Sequence, residues 1–581
     1  MKKAHHFLLL VLLSGICHAQ PSLTGKQKIA TVIKEIKAFE QKELPPDTFV
    51  LAHPLGSFTE ADFLRRYKFY AVEKEKLNAI AAGKLALADQ INLDLLKYIV
   101  QEQVVSYEYK EYLNPILADE GFHTSIAGRS SQKFSSKKDA EAYIRFLKDI
   151  PHYVDQHLAL MRTGLQLGIS QPKVILKGYE ATYEQHIVPL ATTSVFFKPF
   201  TAKPISINGT DWESLVTTAK AEIGNLVIPA FKKIKTFFDE EYLPKTRNSL
   251  GASHFPDGKA FYEEKVKHYT TTELSSEEVY QIGLKEVDRI KKEMEDVLKE
   301  VKFDGDFKAF IAYLRSDPKF YPPTAEQLLK EASFIAKKAD GMLPSLFGKL
   351  PRQPYGVAPV PEYLAPTYTA GRYSGASIKS KNAGHYWVNT FNLKSRTLYT
   401  LESLTLHEAV PGHHLQGALT QELDSLPEFR RNLYINAFGE GWGLYSEYLG
   451  YEMGFYKDPY SRFGRLTYEM WRACRLVLDV AIHTKNWTRD QSVAYLADHT
   501  ALSLHEVNTE INRYISWPGQ ALAYKMGELK IKELRKRAEE KLKDKFDVRS
   551  FHDTVLSQGT VTLAVLEKML NHWIDLELKK K

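Results

Sequence analysis

Cysteine is nearly absent from this 581-residue chain, which has two: Cys17 and Cys474. Cys17 lies in an N-terminal stretch that reads as removable, so the rest of the chain has neither an intrachain disulfide nor a cysteine-built metal site. Cys474 sits in an apolar helical pattern and reads as packed rather than reactive. No stretch has the roughly 20 apolar residues that a membrane-spanning helix needs. The apolar run at residues 7–13 follows Lys2 and Lys3 and leads to small residues ending at Ala19, the order of a signal peptide cleaved after Ala19. Ile16 stands where a small residue would precede a lipidated cysteine, which disfavours a lipoprotein. The expectation is a periplasmic or secreted protein with no integral membrane segment after cleavage. An excess of one charge is missing too: 78 Lys and Arg against 71 Asp and Glu give +7, which calls for no nucleic-acid partner. Lysines alternate with glutamates, as over residues 530–545, in the manner of a solvated helix face. No phosphate-binding glycine loop, fixed-period repeat, low-complexity segment or Pro/Ser linker occurs. Residues 20–581 are therefore read as a single large domain with room for two lobes.

The chain does have an ordinary globular balance of 44% hydrophobic and 26% charged residues, enough for a large core. Apolar residues recur at three- and four-residue spacing over 60–113, 137–168, 211–243, 273–301 and 324–347, which predicts helices. Ser275 and Glu278 form a capping box that opens one of them. Residues 350–395 differ. They are rich in Pro, Gly, Tyr and Val, and 355–363 and 385–392 alternate like strands. Beyond Thr397 the pattern is helical again, interrupted at Pro411 and Gly412, at Pro459, and at Pro518 and Gly519. The predicted class is mainly α, a bundle-like body with a small β or irregular insert at 350–395.

Three of the 19 histidines fall within eight residues: His407, His413 and His414, in Thr405-Leu-His-Glu-Ala-Val-Pro-Gly-His-His-Leu-Gln416. A His-Glu pair followed by another His is the start of a zinc-hydrolase site. The imidazoles bind the metal, and the adjacent carboxylate, here Glu408, takes a proton from water. The spacing is unusual, because the position that would carry the second ligand is Pro411. His413, at i+6, is roughly 240° around an ideal helix, and His414, at i+7, is about 10 Å along its axis. Neither can share a metal with His407 on a straight helix. Pro411 removes a helical hydrogen bond and Gly412 relaxes the backbone, so a kink or bulge between the histidines is required and is available. The competing reading is a helix that ends at Val410 with surface histidines in a Pro-Gly turn.

A third, carboxylate ligand from a following helix would favour the metal. Glu440 and Glu447 lie seven residues apart, two turns on one face of an otherwise apolar helix, where an unpaired carboxylate is costly to bury. Glu440 is taken as the third ligand. Glu447 either holds a ligand histidine in place or is itself the ligand.

At this point the chain resembles the DUF885 family of bacterial proteins. The resemblance is carried by the His407 to Gln416 segment, by Gly439-Glu-Gly-Trp-Gly-Leu-Tyr-Ser-Glu447, by Trp517-Pro-Gly-Gln-Ala-Leu-Ala-Tyr-Lys525 and by Phe551-His-Asp-Thr-Val-Leu-Ser-Gln-Gly559. It extends to residues 268–283 and covers essentially the mature chain. The family is similar to helical zinc peptidases of the thermostable-carboxypeptidase kind. The resemblance implies a deep cleft, zinc on His407, His413 and Glu440, with Glu408 as general base, and an exopeptidase such as a carboxypeptidase. It favours His413 over His414 and does not supply a substrate.

A peptidase also needs an oxyanion donor, for which Tyr524 is the first choice. Arg513 and Lys525 are candidates for a substrate carboxylate, and His385 and Tyr386 for the cleft lining. Gly371-Arg-Tyr-Ser-Gly375 lacks the strand-turn-helix setting of a serine nucleophile. The expected function is an exported zinc metallopeptidase acting on peptides. The alternatives are a catalytically idle peptide-binding protein and a zinc hydrolase of non-peptide amides or esters. Oligomeric state is not legible.

Overall fold

Helix forms wherever the three-and-four periodicity is strong. In the computed structural model residues 23–580 are described except Pro46, Tyr363 and Lys381, so the signal-peptide reading and Cys17 lie outside the described residues. The pattern at 60–113 resolves into two helices, Glu60–Asn78 and Leu87–Glu108, and that at 137–168 into one, Lys137–Gln166. Ser275 caps Ser276–Glu300 with Glu278 as its capping-box partner. Across 211–243 the chain stays helical but widens into two π-type turns, Ile223–Val227 and Phe238–Tyr242. Pro229 and Pro244 follow them closely. A proline has no N–H for the regular ladder and its ring needs space, which a widened turn provides. Among the described residues no helix is long and apolar enough to cross a membrane.

The predicted insert is a three-stranded sheet of order β1-β3-β2, built from β1 (Tyr355–Pro359), β2 (Gly371–Ser374) and β3 (Gly384–Val388). β3 pairs parallel with β1 and antiparallel with β2, so β2 is an edge strand. The fold is mainly α with this one small sheet.

One hydrophobic core runs from Ile91 to Ile574, and a second joins the N-terminal helices through Ile29, Val32, Leu77 and Leu93. At the centre of the larger core lies helix Pro459–Thr484, buried without interruption from Phe463 to His483. Helix Ser276–Glu300 runs against it so closely that a Cβ on Gly283 would come 2.7 Å from the Leu476 Cβ. Charges on the central helix are paired. Arg475 meets Glu510 at 2.7 Å and Glu469 meets Lys525 at 2.8 Å. Such pairing is the condition under which buried charge is tolerated. Cys474 is fully buried on the same helix and burial pushes its thiol pKa up, so it is packed and unreactive.

Candidate metal centre

The spacing problem between the histidines is solved by a break, not by the predicted kink or bulge. Helix Leu401–Glu408 stops after Glu408, Ala409 leaves helical geometry with ψ −110°, the Val410–Pro411 peptide is cis, and a new helix, His413–Gln421, starts at once. His407 thus ends one helix while His413 opens the next, and their rings lie 4.8 Å apart and nearly perpendicular. The turn is crowded: a Cβ on Gly412 would fall 1.8 Å from the His407 carbonyl oxygen, so only glycine fits. The Trp442 indole N–H donates to the Pro411 carbonyl at 2.8 Å and pins the turn from below.

Glu440 comes from helix Asn436–Leu449. Its Oε2 lies 3.5 Å from His407 Nε2 and 3.4 Å from His413 Nε2, and the three ligand atoms all fall within 4.8 Å of one another. These separations are too long for good hydrogen bonds. They match the edge of a tetrahedron with arms of about 2.1 Å, which is about 3.4 Å. The other Glu440 oxygen accepts from the Tyr434 hydroxyl at 3.1 Å. Burial opposes charge on Glu440, but the imidazoles of His413 and His407 hold its pKa well below the usual range. Burial likewise opposes protonation of His407, yet Glu440 and Glu447, with Glu408 beside them, raise it to about 10. Three carboxylates thus surround the two imidazoles.

The Gly-Glu-Gly-Trp-Gly segment is a packing code for this site. A Cβ on Gly443 would lie 2.7 Å from His407 Cε1, and one on Gly441 would lie 2.5 Å from Gly527 Cα. The first glycine leaves room for the imidazole. The second lets helix Ala523–Leu542 cross close by, which brings Tyr524 to the site. Glu447, fully buried one turn past Gly443, meets His407 Nδ1 at 2.8 Å and Arg472 at 3.5 Å. With Nδ1–H donating to Glu447, it is the His407 Nε2 that faces Glu440 and His413, and a metal bound there would take the place of the Nε2 proton. Glu447 therefore positions the His407 ring and does not join the cluster.

Glu408 is buried, and its Oε2 accepts the backbone N–H of Tyr373 at 2.7 Å. That N–H lies on the free edge of β2. His414 points the other way: its Nδ1 meets the Tyr373 hydroxyl at 3.0 Å, it packs on Tyr355, and burial lowers its pKa to about 4.

The remaining expectations divide. Tyr524 is nearly buried, its hydroxyl accepts from Arg513 at 3.1 Å, and it acts electrostatically on Tyr434 and Arg372 beside the cluster. Arg513 is a brace rather than a substrate clamp, since it also donates to Gln520 at 2.9 Å and faces Glu510 at 3.5 Å. Lys525 is corrected outright. Its ammonium is fully buried against Glu469, Glu528 and Glu286 at 2.8, 2.6 and 3.0 Å, with no donor left for a substrate. Tyr386 is also corrected, being fully buried with its hydroxyl against Thr405. His385, next to it, lies on the opposite, half-open face of β3. His483 and His552 are core histidines, bonded to the Tyr514 and Leu346 carbonyls. Arg372, Tyr373, Tyr434 and Arg472 were not anticipated. The 371–375 segment had stood out only for its serine.

Fold and site together define a mainly α protein with a two-histidine, one-glutamate cluster in which His407 is buried and His413 and Glu440 are partly buried. Residues 46–570 match DUF885, a bacterial protein family of unknown function, and the chain belongs to that family. It is similar to the crystal structure of a candidate lipoprotein from Colwellia psychrerythraea, with 27% identity and a TM-score of 0.86 over 95% of this chain and 100% of that one. A candidate lipoprotein of unknown function from Shewanella oneidensis shares the fold at 17% identity and a TM-score of 0.68, over 95% of this chain and 100% of that one. No curated protein matches the chain.

Proposed function

We propose that this protein is an exported zinc-dependent metallopeptidase. The observation that carries the reading is the convergence of His407 Nε2 and His413 Nε2 on one Glu440 oxygen at 3.5 and 3.4 Å, all within 4.8 Å of one another, with the Glu408 carboxylate next in sequence to the first of them. Those three residues would hold zinc, which when bound supplies Lewis acidity toward a carbonyl and a lowered pKa for water. The chain's own groups do the rest. Glu408 is fixed through one oxygen by the Tyr373 N–H, which leaves the other to take a proton from the attacking water and pass it to the leaving amine. The Tyr524 hydroxyl accepts from Arg513, so its own proton is turned away from that guanidinium and is free to donate to a developing oxyanion. Tyr434 and Glu447 hold Glu440 and His407 in place. The lipoprotein description of the two structural relatives supports a location outside the cytoplasm.

The test is digestion of a mixed peptide library by the zinc-loaded protein, read by mass spectrometry, beside Glu408→Gln. Stoichiometric zinc is expected in both proteins, with cleavage reduced about 10²- to 10⁴-fold in the variant. Full activity in Glu408→Gln would end the proposed mechanism. Absence of stoichiometric zinc would end the metal reading.

A further inference from the structure

Close to Glu408 along β2 is a guanidinium that none of these steps uses. Arg372 lies on β2 opposite Trp387 of β3, one residue before the Tyr373 N–H that grips Glu408 at 2.7 Å. Strand alternation sends its side chain to the face away from Tyr373. Tyr373 packs inward against His414, whereas Arg372 is exposed. Tyr368 packs edge-on against Trp387, the cross-strand neighbour of Arg372, and the guanidinium is within electrostatic reach of Tyr368, Glu408 and Tyr524. Tyr524 belongs to helix Ala523–Leu542, about 150 residues further along the chain, so Arg372 on β2 and that helix come within electrostatic reach of each other. Arg472, Arg475, Arg513 and Lys525 are each paired with a glutamate. Among the described residues Arg372 makes no such ion pair, and its hydrogen-bonding fork is largely free.

We infer that Arg372, steadied by Tyr368, is the seat of a substrate carboxylate on the leaving-group side of the scissile bond. The side follows from Glu408, which returns the proton to the leaving amine and is gripped by the backbone N–H of Tyr373, the residue next to Arg372 on β2. A guanidinium offers a carboxylate two parallel donors. This rests on the peptidase reading and gives it a substrate class: peptides with a carboxylate just beyond the cleaved bond, either the chain terminus or an acidic side chain.

The probes are N-acetyl-tetra-alanine as free acid, the same peptide as C-terminal amide, and the amide with glutamate at its last position. The wild-type protein is expected to prefer a carboxylate-bearing peptide over the plain amide. Arg372→Gln should lower kcat/KM for that peptide about 10- to 100-fold more than it lowers kcat/KM for the plain amide. Arg372→Lys keeps the charge without the fork and should recover part of the loss. If the free acid carries the preference, the group seated is the terminus and the enzyme is a carboxypeptidase. If the glutamate amide carries it, the group is a side chain. A carboxylate preference that is identical in Arg372→Gln overturns the assignment. If no peptide is cleaved, the same three are compared by calorimetric binding to the zinc-loaded protein. A preference that Arg372→Gln abolishes keeps the seat while ending the peptidase reading, and no preference ends both.

Discussion

Gly443→Ala tests whether the glycine pattern exists to seat His407. The added methyl would stand 2.7, 2.8 and 3.0 Å from three ring atoms of that imidazole, so the ring must retreat by roughly 1 Å to reach ordinary contact. It has nowhere to go without loss. Its Nδ1 is bonded to the buried Glu447 at 2.8 Å, and the ring is almost wholly enclosed. Overpacking of this kind costs about 1–3 kcal/mol, against which the better helix propensity of alanine returns about 1 kcal/mol. Gly341 supplies the control, since it lies in helix Ala325–Leu346, is exposed, and nothing stands within 4 Å of a Cβ built there. Gly341→Ala should therefore stabilise by up to about 1 kcal/mol. The difference between the two variants, read from urea unfolding with zinc chelated, isolates the clash and should be about 1–3 kcal/mol. Zinc affinity, read by competition with a chelating dye, should fall about 10- to 100-fold in Gly443→Ala alone, because the ligand is displaced from its supporting carboxylate. Equal stability for the two variants together with wild-type zinc affinity would refute the reasoning.

Two further outcomes follow from the same geometry. Glu447→Gln keeps the shape but removes the charge that orients His407 Nδ1, so zinc affinity should drop about 10- to 100-fold. An unchanged dissociation constant by dye competition would show that Glu447 is only packed. Acid should destabilise the fold steeply below pH 6. Burial lowers His123, His483 and His552 to about 3 and His157 and His186 to about 4. The stability these five contribute is present above their unfolded pKa of about 6.5 and is lost as pH falls below it. Asp479 and Glu506, raised by burial to about 7, work the other way and take up protons in the fold. At pH 5 these five histidines and two acids by themselves put about three more protons on the unfolded chain than on the folded one, a contribution of about 4 kcal/mol per pH unit to the slope. Urea midpoints that do not fall between pH 6 and pH 5 would contradict this.

What could be read from the sequence, and what could not, follows from how far each inference reached through space. The helices were legible because their signals are local: Ser275 with Glu278 sets a start, and apolar spacing sets a face. The place of the break between His407 and His413 was legible as well, because a six-residue interval cannot close on one helix and Pro411 and Gly412 lie inside it. Its form was not. The turn is held by the indole of Trp442, which is 31 residues away in sequence. Lys525 and Tyr386 were misplaced for a different reason: each is fully buried but adjacent in sequence to a less buried residue on another face, Tyr524 and His385. One step along a helix turns a side chain by about 100° and one step along a strand turns it by about 180°, so proximity in sequence to a functional neighbour argues against sharing its direction. The same rule, applied to β2, separates inward Tyr373 from outward Arg372. Once the N–H of Tyr373 is known to hold Glu408, the alternation of the strand alone puts an arginine on the open face next to the base. The strand was predicted only as part of an irregular insert, so this step needed the register of β2 against β3, which is a tertiary fact.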